Sequence, residues 1–458
     1  MAVLSRRISG VRVATAVAAA LFASWLAAAS AQADDWESCA KDSGEAALAA
    51  CTRTIDSGNY EGRVLALAYS NRGVEWKNKG DLARAIADYD EAIKHDPEQS
   101  VAYNNRGIAF AAKADYDAAI ASYDDAIRIN PKYASALNNR GLAYFHKGQH
   151  QRAIADYDAS IQIETDAVRL NNRGNAYASR GQYDRAIQDF DEAVTVDSKY
   201  AIAYYNRGNA YYSKGDAERA IQNYDRALLI FPRYQDALVN RGVAFERTGD
   251  LDRALADYDE ALRLDAKDPV ALNNRGNVLL KRGQHERAIA DYNAALKLDE
   301  KYIGAYFSRA IAHEARKQYD SAIGDYDQVT KLQPENAIAW NSRCWTRAIA
   351  GQLPAALSDC KEALRLRPGY VNALDSRGLV YLKLGQPDSA IADYALALRV
   401  DPNKASSLYG RGVARHRKGD TAGANADFAA ARAIKASIAA DFARYGVEGV
   451  AEPAAQRD

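Results

Sequence analysis

Four cysteines, one close pair of histidines and two rows of polar side chains recurring at a fixed interval are the residues of this 458-residue chain whose types and spacing could do chemistry. Cys39 and Cys51 stand near each other in sequence, as do Cys344 and Cys360. An even set of cysteines suits a disulfide framework where the chain is exported, with three pairings formally open and buried free thiols as the alternative. The two local bridges are the expectation. His146 and His150 have ligand-like spacing, but Gly148 lies between them and no third ligand stands nearby, so an exposed turn is expected and no metal site. The chain carries no Gly-x-Ser-x-Gly and no nucleotide-binding glycine loop, and its carboxylates recur as a pattern where a catalytic pair would be singular. No enzyme activity and no cofactor are expected.

The first polar row is asparagine: Asn71, Asn105, Asn139, Asn172, Asn206, Asn240 and Asn274. A primary amide offers donor and acceptor together, and so can satisfy a peptide unit's N–H and C=O whatever side chain that unit bears. The second row is the arginine that follows each of them, Arg72 through Arg275, continued by Arg309, Arg343, Arg377 and Arg411. Aspartates recur at the same period, so the guanidinium groups are expected to form a structural ion-pair ladder, for instance Asp88 or Asp90 with Arg106, rather than an anion-binding row.

Elements that position such rows must themselves repeat, and the Arg spacing is 34 residues except for one interval of 33. Numbering each unit from Ala66 gives eleven repeats over 66–438. Position 20 is alanine in all eleven, position 8 is glycine in nine (Ala310 and Cys344 depart), and position 24 is aromatic in ten (Cys360 departs). Small residues at 8 and 20 let two antiparallel helices approach, and the aromatic fills the space beside them. Glycine at position 15 reverses the chain, Asp81, Asp115, Asp216, Asp250 and Asp420 cap the second helix, and proline at position 32 limits it. In the ninth repeat Cys344 and Cys360 take the position 8 and 24 slots of facing helices.

A helix-turn-helix period of 34 with these signatures resembles the tetratricopeptide repeat family across nearly all of the mature chain. The resemblance implies an all-α fold, an α-solenoid forming a right-handed superhelix, with a degenerate N-terminal cap over 34–65 and a capping helix over 439–448. It also implies that position 6 faces the concave groove. There the asparagine row is similar to the ladder in the superhelix of the O-linked N-acetylglucosamine transferase, which grips extended peptide backbones. The seven asparagines are the candidate peptide-binding residues, weighed against simple bracing of neighbouring helices. Ser308, Ser342, Ser376 and Gly410 break the row, so binding is expected in the N-terminal two-thirds. Position 2 carries no Lys or Arg from Leu67 to Val270, which argues against a carboxylate clamp. The expected function is a non-enzymatic adaptor holding an extended or disordered segment of a protein partner; the alternative is a scaffold that uses the convex surface and the ends.

The flanks and the charge complete the reading. Arg6, Arg7 and Arg12 precede an apolar stretch that ends in Ala31-Gln32-Ala33, so 1–33 reads as a signal peptide cleaved near Ala33, leaving no membrane anchor and a periplasmic or secreted protein. The tail over 449–458 reads as loose. With 60 Lys+Arg against 60 Asp+Glu, the chain has no bulk attraction for nucleic acid.

Overall fold

The computed structural model describes residues 35–447; the expected signal peptide and the tail over 449–458 lie outside them. The chain divides between Pro232 and Arg233 into two compact units. In the first, a short helix over 35–41 and a second, Gly44–Asp56, precede five hairpins running from Gly62–Asn78 with Leu82–His95 to Ala201–Ser213 with Ala217–Ile230. The second holds six hairpins, from Gln235–Thr248 with Leu251–Leu264 to Ala405–Arg417 with Thr421–Ile434, and then a helix of about two turns, Ile438–Arg444. Among the described residues there is no strand, and no helix is long and apolar enough to cross a membrane. The fold is all-α, built from stacked helical hairpins.

Each hairpin closes on the small–large pairing that the pattern demands. The position 20 alanines are all fully buried. A Cβ built on Gly107 would stand 2.5 Å from Cε1 of Tyr123, and the other position 8 glycines meet their own repeat's ring in the same way. Glycine is therefore required there by the aromatic across the hairpin rather than by backbone conformation. At the turn the requirement is conformational: Gly80 has φ 82° and Gly419 84°, while in the second and eighth repeats Ala114 and Lys317 are held in the same left-handed region at 59° and 60°. The aspartate caps then start helix B, with Asp81 accepting from the Arg84 backbone N–H at 3.0 Å. That bond, with the Arg84 guanidinium, holds the Asp81 carboxyl below its ordinary range.

Both flanks differ in extent from the sequence reading. Helix A of the first repeat begins at Gly62, four residues before the counted start, directly after the turn made by Ser57-Gly58-Asn59-Tyr60. The last helix stops at Arg444 because Gly446, at φ 76°, turns the chain away. Two disulfides join Cys39 to Cys51 and Cys344 to Cys360, with Cα–Cα distances of 4.6 and 5.4 Å. The second bridge stands where other repeats press a ring against glycine.

Candidate peptide-binding face

The arginine row is consumed by structure. Arg72 makes two parallel bonds to Asp88 of its own hairpin, Nε–Oδ2 at 2.9 Å and Nη2–Oδ1 at 2.8 Å. Arg140 repeats this on Asp156 and also reaches Asp124 of the repeat before, at 2.7 Å. Arg173, Arg275 and Arg343 bridge in the same manner to Asp158, Asp259 and Asp327 of the preceding repeats. Arg106 pairs with Asp90, whereas Asp88 belongs to Arg72. Where position 23 is not aspartate, the fork is simpler: Arg106 meets Ser122 and Arg207 meets Asn223. Each guanidinium therefore closes its own hairpin and, in most repeats, ties it to the previous one. Burial pushes the Asp189 carboxyl up, although Arg173 opposes it.

Each of the seven asparagines is half-buried on helix A, and its bonding follows a rule that the sequence pattern did not bring out. Position 6 of one repeat donates to position 5 of the repeat before whenever that residue is also asparagine. Thus Asn139 Nδ2 donates to Asn104 Oδ1 at 3.1 Å, Asn172 to Asn138 at 3.1 Å and Asn206 to Asn171 at 2.8 Å. Asn71 donates instead to the Cys39 carbonyl at 3.2 Å, tying the first repeat to the N-terminal cap. Asn274 accepts from its neighbour Asn273 at 3.4 Å. Asn105 follows Ser70 in this register, and its side chain makes no hydrogen bond among the described residues. The position 5 asparagines, which the sequence reading did not single out, are partners in half of this arrangement; their adjacency to the row was the available signal.

Two hollows open along helix A of the first three repeats. One, of about 540 Å³, lies between repeats 1 and 2 and is lined by Asn71, Asn105, Leu67, Val74 and Val101, with Arg63, His95, Asp96 and Glu98 completing its charged and polar wall. The other, about 200 Å³, lies between repeats 2 and 3 and is lined by Asn139, Tyr123, Ile108 and Leu142. Val101 and Leu142 are exposed, and at position 2 of later repeats so are Val168, Ile202, Val270 and Ile338. The face thus alternates amides with aliphatic side chains that remain in contact with solvent, and it places no cation at position 2. His146 stacks on Tyr116, with ring centroids 5.2 Å apart, and His150 packs edge-on to Phe145. Among the described residues no group of three or more His, Cys, Asp or Glu is placed to hold a metal ion.

Antiparallel hairpins of one length, each pressing a ring onto its own glycine and clamped to the last by arginine, define a helical-repeat protein. Family models described as TPR repeat match residues 174–215, 208–249 and 378–419, and those described as tetratricopeptide repeat match 77–134, 105–167, 239–305, 273–331 and 307–371. The chain belongs to the tetratricopeptide repeat family, whose members are generally non-enzymatic modules that bind protein or peptide partners. Solved structures similar to it include MamA, 28% identical over 35% of this chain and 95% of its own with a TM-score of 0.33. YrrB, described as a TPR protein with an unusual peptide-binding site, is 20% identical over 40% of this chain and 95% of its own, with a TM-score of 0.34. A tetratricopeptide repeat protein from Parabacteroides merdae ATCC 43184 is 21% identical over 55% and 97%, with a TM-score of 0.43. No curated protein matches.

Proposed function

We propose that the chain is an adaptor that holds an extended segment of a protein partner along the helix-A face of repeats 1 to 3. The observation that carries this reading is the hollow of about 540 Å³ in which the Asn105 amide keeps both donor and acceptor free beside Leu67, Val74 and Val101. An extended backbone supplies the N–H and C=O that this amide lacks, and its side chains cover the aliphatic floor. Asn139, Asn172 and Asn206 each spend one N–H on a neighbour and retain the carbonyl oxygen and the second N–H, so they both brace helices and offer ligand contacts. Peptides selected on the full chain from a random display library test this. Asn105→Ala should weaken them roughly tenfold, the worth of about 1.4 kcal/mol, without moving the thermal midpoint. Peptides that bind Asn105→Ala unchanged would sink the proposal.

The scaffold reading has its own support in an exposed aliphatic row at the end of helix B, where Ile163, Val196, Leu298, Val400 and Ile434 are 41–63% exposed. An envelope location is part of this proposal; the features of residues 1–33 support it, as do the two disulfides, which persist in an oxidising compartment. Fractionation beside a periplasmic marker tests that location; recovery in the cytoplasm at full precursor mass refutes it.

A further inference from the structure

We infer that helix A of repeats 9 to 11 forms a second binding site, shaped for the C-terminal end of an amphipathic helix, which the chain's own helix Ile438–Arg444 fills in cis. This short helix does more than cover the last hairpin. Ile438, Phe442 and Tyr445, spaced i, i+4 and i+7, lie on one face. Phe442 is 2% exposed, with its ring 4.8 Å from that of Tyr409, in a cluster with Leu379, Leu382 and Val413 of repeats 10 and 11. Tyr445 reaches further, edge-on to Trp345 of repeat 9 at 4.8 Å. Those wall residues come from helix A, the same layer that lines the hollows of repeats 1 to 3.

The wall also reads the polarity of what it holds. Lys383, on helix A of repeat 10, donates from Nζ to the Tyr445 carbonyl at 2.9 Å and to the Ala348 carbonyl at 2.7 Å. A cation that meets the last carbonyls of a helix satisfies orphan acceptors and opposes the negative end of the dipole. Burial depresses the Lys383 pKa, a cost that these carbonyl contacts offset. Beyond the helix end lies a hollow of about 450 Å³, walled by Tyr445 and Arg444 on one side and by Trp345, Ile349, Tyr319 and Glu314 on the other. The cis helix borders this space without entering it. A partner helix with apolar or aromatic side chains at i, i+4 and i+7, whose chain continues past its C-terminus, makes the same anchor contacts and gains the hollow as well. A helix of seven residues is marginal by itself, which suits a ligand that is meant to be exchanged.

The test uses the full chain and a fluorescent, helix-stabilised peptide spanning residues 435–447, with anisotropy as the readout. The variant Phe442→Ala/Tyr445→Ala, whose cis helix has lost two anchors, should bind the peptide at least tenfold more tightly than the wild type does. Lys383→Met added to that variant should remove most of the gain, while Asn105→Ala should leave it untouched. Equal affinity of wild type and double variant overturns the inference. So does failure of the double variant to bind while hydrogen exchange shows repeats 9 to 11 protected as before. Loss of that protection across all three repeats would make the helix a structural cap and equally overturn it.

Discussion

Helix A of repeats 3 to 5 and helix A of repeats 8 to 11 occupy the same place in the hairpin and solve the same problem differently. In the first set neighbouring helices are stitched by amide pairs, Asn104 with Asn139, Asn138 with Asn172 and Asn171 with Asn206. In the second, position 6 shrinks to serine or glycine, and in repeats 8, 9 and 11 it lies beside the tyrosine of the repeat before; Ser376 follows Cys360 instead. Ser308 stands beside the Tyr292 hydroxyl and Ser342 beside that of Tyr326, while a Cβ on Gly410 would stand 2.3 Å from Tyr394 Cζ. The amide layer ends where that register loses its asparagines, and the chain's own C-terminal helix covers the layer that follows. One repeat architecture thus carries a polar, open face in repeats 3 to 5 and an aromatic, covered face in repeats 9 to 11.

The arginine ladder runs beneath both faces, so the largest expected effect comes from breaking it where it is most buried. Arg343 and Asp359 have side chains only 10% and 3% exposed, and Arg347 also pairs with Asp359. Asp359→Ala should cost about 3 kcal/mol, because Arg343 and Arg347 lose the buried carboxylate they share and keep only the more exposed Asp327. Ser122→Ala, at the same position beside Arg106, should cost about 1 kcal/mol, since Arg106 keeps Asp90 and only one neutral acceptor is removed. Urea unfolding of the two variants measures the contrast. Equal losses would mean that the ladder's worth does not depend on burial.

The amide stitching should be smaller and separable from ligand binding. A double-mutant cycle on Asn104→Ala and Asn139→Ala should give a coupling of about 0.5–1.5 kcal/mol, as expected for one side-chain hydrogen bond. Asn105→Ala, with no protein partner to lose, should fall within about 0.5 kcal/mol of wild type. A coupling near zero between Asn104 and Asn139 would show that the row spends nothing on structure and is wholly available to a ligand.

How far the sequence can be read follows from what each residue answers to. The hairpins were legible because glycine at position 8, alanine at 20 and the ring at 24 are local demands of one close approach, repeated until chance is excluded. The arginine ladder was legible as a type of interaction, and its pairing only as far as two alternatives: Arg106 takes Asp90, while Asp88 closes its own hairpin on Arg72, a choice that depends on how helix B stacks. The amide rule was hidden for the same reason, because it joins positions 5 and 6 of different repeats and needs the spacing of two helix A elements. The reach of the C-terminal helix back to Trp345 and Lys383 is longer in range still, and nothing in the 438–447 segment names those partners.

The sharpest way to test the division between the faces is to carry the amide layer one repeat further. Asn273 is 6% exposed, and its Oδ1 has no hydrogen-bond partner, because the next repeat offers Ser308 where the register calls for asparagine. Ser308→Asn should place an amide donor against that oxygen, as Asn139 does for Asn104. The parent arrangement accommodates both groups between repeats 2 and 3, where Asn139 lines a hollow with the preceding repeat's Tyr123. The exchange removes the Ser308 hydroxyl that stands beside Tyr292, whose own hydroxyl still donates to Asn277 Oδ1 at 2.9 Å. A buried acceptor without a partner costs about 1–3 kcal/mol, and the lost hydroxyl contact returns part of that, so the net gain should be about 0.5–1 kcal/mol. The midpoint of urea unfolding should therefore rise for Ser308→Asn and fall back in Ser308→Asn/Asn273→Ala. A fall in the single variant would mean that serine at position 6 is demanded by the tyrosine beneath it, and that the two faces differ by packing rather than by where the amides stop.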